Sequence, residues 1–78
     1  MRDKRLEENT IRSIKKLFGK ESKVLYLEYL PGKVYFKLQQ GISVVRYIAK
    51  VKTSQYLAQN KEDLENEGEV WDVKELED

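Results

Sequence analysis

The sequence predicts an α+β fold. It is a two-layer sandwich in which a three-stranded antiparallel meander carries an N-terminal helix and a second helix packed on one face. Three observations predict it. Residues 4–18 place apolar side chains at helical spacing. Residues 24–52 hold three alternating runs, VLYLEYL, KVYFKLQ and ISVVRYIAKVK, separated by Pro31-Gly32 and Gln40-Gly41. Beyond Thr53 and Ser54, helical spacing returns at Tyr56, Leu57, Ala58 and Leu64. A sheet with one apolar face has to bury it under a second layer, and the two helices supply that layer.

In the first helix Leu6, Ile11, Ile14, Leu17 and Phe18 form the expected buried stripe. Asp3 is a candidate N-cap, and Glu7 and Glu8 suit the positive end of the helix dipole. Gly19 suits the position just past the helix end, with Lys15, Lys16 and Lys20 near the negative end. Arg5, Arg12 and Lys16 share the outer face, which is either a solvated helix surface or a phosphate-contacting edge.

The strands can be registered from their loops. With Pro31 and Gly32 at a hairpin tip, Tyr29 faces Val34, Leu27 faces Phe36 and Leu25 faces Leu38. With Gln40-Gly41 as a second tip, Phe36 faces Val45 and Val34 faces Tyr47. On the opposite side Glu28 faces Tyr35, Tyr26 faces Lys37, Tyr35 faces Arg46, Lys37 faces Val44 and Lys33 faces Ile48. Both hairpins put the same side in the core, and a one-residue slip in either would mix the faces. Pro31 is at odds with the primed turns of tight hairpins, so a wider loop or a bulge near it is expected.

The second helix is expected to run to about Glu67, stopped by Gly68, and to cover the apolar sheet face beside the first. The last residues, EVWDVKELED, are acidic but hold Val70, Val73, Leu76 and the single tryptophan, Trp71. Trp71 is expected to dock on the body through a short extra strand at 69–73 or a terminal helical turn.

Seventy-eight residues allow one domain, 1–78, with a modest core. With neither cysteine nor histidine, disulfides, Cys-based zinc sites and the commonest general base are excluded. Homodimerisation would then add stability, and a reducing cytoplasm fits the composition. No apolar signal region opens the sequence, and no apolar run reaches the ~20 residues a membrane helix needs. No phosphate-binding glycine loop, EF-hand pattern or isolated carboxylate pair occurs, so neither catalysis nor a cofactor nor a metal is expected. The net charge of +1 conceals a polarised chain. Residues 1–61 carry fourteen Lys/Arg against five Asp/Glu, and residues 62–78 one against nine.

The outer sheet face is therefore the feature with functional content. Lys33, Tyr35, Lys37, Arg46 and Lys50 interleave cations with a ring, with Tyr26 and Lys52 beside them and Arg12 and Lys16 as helpers from the first helix. Rings stack on unpaired bases and cations neutralise phosphates, so the expectation is a small non-enzymatic accessory or regulatory protein that binds nucleic acid. An ordinary solvated sheet face uses the same residue types. Val44 and Ile48 on this face support the alternative, a homodimeric protein-interaction module with the acidic C-terminal segment as a docking element. That segment can also be a solubilising tail or a screen for the basic face.

The order helix, three strands, helix resembles double-stranded RNA-binding domains in topology. Those domains place a lysine cluster at the start of their second helix, where this chain has Ser54, Gln55, Tyr56 and Leu57. Their interstrand loop is not matched by residue type, and no family is assigned from the sequence.

Overall fold

A computed structural model describes residues 4–77. They form helix α1 (Lys4–Phe18), strands β1 (Lys23–Leu30), β2 (Lys33–Gln40) and β3 (Ser43–Val51), helix α2 (Ser54–Gln59), a 3-10 helix (Lys61–Asn66) and strand β4 (Val70–Leu76). The strands make one antiparallel sheet in the order β1-β2-β3-β4. The α+β architecture is the one the sequence predicts. The C-terminal segment forms a fourth strand rather than a helical turn, and it extends past the expected residues 69–73 to Leu76.

Helix α1 has the predicted bounds, although its candidate cap Asp3 lies outside the described residues. Gly19, at φ 108°, ends it and donates to the Lys15 carbonyl at 2.8 Å. Gln40 Nε2 also donates to the Phe18 carbonyl at 3.1 Å, so β2 satisfies an acceptor the helix leaves open. The buried stripe centres on Ile14, with Ile11 and Phe18 packed beside it. Leu17 departs from expectation and is 57% exposed. It lies about 60° around the helix from Ile14, on the side opposite Phe18. The Phe18 ring fills that end of the core against Phe36 and Tyr47, with centroids at 6.2 and 4.9 Å. Thr10 is fully buried instead. Its hydroxyl donates to the Leu6 carbonyl and accepts from Tyr29, both at 2.8 Å, so the buried polar group is satisfied.

The first hairpin turns at Pro31-Gly32 with the predicted pairs Tyr29–Val34 and Leu27–Phe36. Gly32 takes φ 71°, as the second position of a type II turn requires, so the loop stays two residues long. The irregularity expected near Pro31 lies at the far end of β1, between Val24 and Tyr26. Val24 pairs with Leu38 in place of Leu25, and Leu25 is left exposed.

The second hairpin differs by one loop position. Its tip is Gly41-Ile42, and Gln40 pairs with Ser43. Two-residue hairpins favour turns with positive φ at the first loop residue, and Gly41 supplies it at 62°. Every β2–β3 pair slides by two residues as a result. Phe36 meets Tyr47, Val34 meets Ala49, Tyr35 meets Ile48, Lys37 meets Arg46 and Lys33 meets Lys50. A two-residue slide preserves the faces, so each side chain stays on its predicted side.

The core lies between α1 and this face, built on Phe36, Ile14, Leu38, Val34 and Val51. Each such side chain contributes roughly 1.5–3 kcal/mol by leaving water. Strand β4 adds Val70, whose N–H donates to Ser13 Oγ at 3.1 Å and ties the strand to α1.

The second helix stops at Gln59, short of the predicted Glu67, and continues as the 3-10 helix. Asn60 interrupts it with φ −131° and ψ 65°, and both its backbone and side-chain N–H groups bond the Tyr56 carbonyl. Beyond it Leu64 is exposed, so the acidic stretch has no apolar anchor to hold a longer α-helix. Leu57 is the buried residue of α2.

Candidate nucleic-acid interface

The sheet pairings assemble the outer face in rows across the strands. One row is Tyr26, Lys37, Arg46 and Leu76. The next is Glu28, Tyr35, Ile48 and Lys74, and the third is Leu30, Lys33, Lys50 and Trp71. At the far end Lys23, Gln39 and Val44 form a fourth. Every one of these side chains is exposed or half-buried.

The structure brings Lys33, Tyr35, Lys37, Arg46 and Lys50 together on adjacent central strands. Arg12 and Lys16 are elsewhere. Helix α1 packs on the core face, so its outer cations lie across the layer from the rows, and they line a shallow cleft with Glu65, Glu67 and Glu69. The acidic segment thus faces the helix cations that were expected to assist the sheet.

Strand β4 adds three residues that the sequence did not assign to the face: Trp71, Lys74 and Leu76. Asp72 hides them. It adopts φ 52° where the β3–β4 register shifts, between Ile48 and Lys50. This bulge breaks the period-two alternation, so Val70 and Val73 both reach the core side from odd spacing. The usable signal was the sole tryptophan in an otherwise acidic run.

The electrostatics of the face are set by local pairs. Lys50 Nζ lies 3.5 Å from Asp72, and Arg46 Nη2 donates to the Glu77 carbonyl at 3.3 Å. Lys37 Nζ sits 5.9 Å from the Tyr26 ring centroid. The Tyr26 hydroxyl donates to Glu28, and the Tyr26 and Tyr35 rings meet edge to face at 5.9 Å. At the β4 end Lys52 is gripped by Glu69 at 2.8 Å and Asp63 at 3.5 Å, and its ammonium lies 5.8 Å from the Trp71 centroid. The hydrogen bond to Glu69 leads in holding the Lys52 ammonium above its ordinary value, against the opposing effect of burial. Tyr56 donates to Asp63 at 3.2 Å; burial first, and then that bond, raise its hydroxyl. On the core side, burial and then the charge of Glu75 raise Tyr47.

Such a surface can do two things chemically. Its rings can stack on bases that are not already stacked, and its cations can displace counterions from phosphates. Among the described residues no cluster of acidic side chains is arranged to hold a metal ion, and no helix is long and apolar enough to cross a membrane. Comparison with protein families, curated proteins and solved structures finds no match to this chain.

Proposed function

We propose that this is a small accessory or regulatory protein without enzymatic activity that binds nucleic acid through the outer face of its sheet. One observation carries the reading. Lys33, Lys37, Arg46, Lys50 and Lys74 share that face with Tyr26, Tyr35 and Trp71, and no member of it is buried. Interleaved cations and rings suit a backbone and its bases together. The absence of cysteine suits a reducing cytoplasm as the place of action. Titration against single- and double-stranded DNA and RNA over a range of salt tests the proposal. The Lys37→Glu, Arg46→Glu double variant should lose binding while its melting curve stays cooperative.

A second reading rests on Val44, Ile48 and Leu76, apolar residues on the same face, with Val44 52% exposed. A homodimer closing over them would be a protein-interaction module instead. Light scattering over a range of concentrations separates the two. A dimer indifferent to nucleic acid supports the second reading, and a monomer throughout removes its homodimeric form.

A further inference from the structure

At the Trp71 end of the face, an open cleft of about 370 Å³ lies between the first hairpin tip and α2. Its volume falls within the range of small-ligand sites, about 300–1,000 Å³. The rings of Trp71 and Tyr56, with centroids 5.3 Å apart and planes at 56°, form one wall, and Pro31 lines it as well. Lys33 and Lys50 line the same cleft. These two lysines are cross-strand partners, and like charges directly opposite each other disfavour strand pairing. Asp72 answers Lys50, while Lys33 makes no ion pair among the described residues. An anion entering here would relieve that repulsion, and the aromatic wall offers apolar surface within the same cavity.

Two cations beside two rings match one ligand chemistry well: a phosphate joined to a flat heterocycle. We infer that this cleft takes an unpaired nucleotide of a single-stranded nucleic acid, its base against Trp71 and Tyr56 and its phosphate between Lys33 and Lys50. The inference rests on the proposed function, because the cleft continues the Lys33–Lys50–Trp71 row of the face. It adds a preference that the face alone does not have. In a blunt duplex the base faces are already stacked on one another, so a duplex can engage the cations but cannot fill the cleft.

Trp71 is the only tryptophan in the chain, so its emission reports this site directly. The probes are a labelled ten-nucleotide oligothymidylate and a labelled blunt duplex of equal length. Anisotropy of the label reads binding, and tryptophan emission reads the cleft. The expected result is anisotropy change with both probes and saturable quenching with the single strand alone. Tyr56→Leu should weaken single-strand binding about fivefold or more and leave the duplex unchanged. Single-strand binding without quenching, or equal quenching by the duplex, overturns the cleft and leaves the face intact. No anisotropy change with either probe removes the proposed function and the cleft with it. Because the decisive comparison uses the unaltered protein, it stands even if Tyr56→Leu fails to fold.

Discussion

Gly68 is buried with φ 91°, where a Cβ would come within 2.7 Å of Asn9 Cβ, 3.0 Å of the Leu6 carbonyl oxygen and 3.1 Å of the Thr10 nitrogen. The chain therefore passes against the backbone of α1 at this point. Gly68→Ala should destabilise the fold by about 2–4 kcal/mol, combining left-handed strain with a backbone clash. Chemical denaturation checks this, and a loss below about 0.5 kcal/mol would contradict it. From the sequence Gly68 was legible only as a helix stop, because a close approach between residues about sixty apart leaves no local pattern. Lys52, Tyr56 and Tyr47 give the second expectation at this scale. All three have folded-state values raised above their ordinary ones, so the folded protein holds these protons more tightly. Their stabilisation is fully present below the ordinary values, near pH 10, and is lost as pH rises through the folded values. The melting temperature should fall above about pH 10, and a rise there would contradict the assignment.

At the scale of elements, strand β4 decides how the acidic segment is understood. It pairs with β3 along its length, buries Val70 and packs Val73 on the core, so it is built into the sheet. Truncation after Gly68 should abolish the cooperative thermal transition, since the fold loses a whole strand and Val70 alone accounts for roughly 1.5–3 kcal/mol of burial. A truncated chain that melts like the full one would show β4 to be dispensable. Helix α1 was legible to its bounds because its apolar spacing and its Gly19 stop agree. The faces of the first three strands were legible, apart from Val24 and Leu25 at the β1 bulge, because alternation fixes parity. The exact β2–β3 register was not: parity is indifferent to a two-residue slide, and the sequence does not say whether Gly41 takes the first or the second loop position. Strand β4 was half legible, because the Asp72 bulge erased its alternation. Helix α2 was read too long, because charged residues after Asn60 fit a helix pattern without any apolar contact to enforce one.

At the scale of the molecule, the Cα radius of gyration of 12.3 Å is close to the ~11–12 Å expected of a compact chain this size, and the principal extents are 39 × 24 × 24 Å. Charge is distributed over this body in an order that composition hides. The acidic stretch meets Arg12 and Lys16 on the helix side, and Asp63, Glu69 and Asp72 engage Lys52 and Lys50 at one edge of the outer face. Lys33, Lys37 and Lys74 have no ion-pair partner among the described residues, so the middle of the face keeps its positive character. The five sheet-face positions were found in the sequence because alternation groups them. Arg12 and Lys16, expected as helpers from the first helix, line a separate cleft with Glu65, Glu67 and Glu69, because α1 packs on the core face. The central claim, that this face binds nucleic acid through phosphate contacts, is tested most directly by the salt dependence of single-strand binding. With four or five phosphates engaged, the logarithm of the association constant should fall against the logarithm of salt with a slope of about −3, and Lys37→Glu, Arg46→Glu should abolish binding. Binding that is flat in salt, or no binding at low salt, would contradict the account.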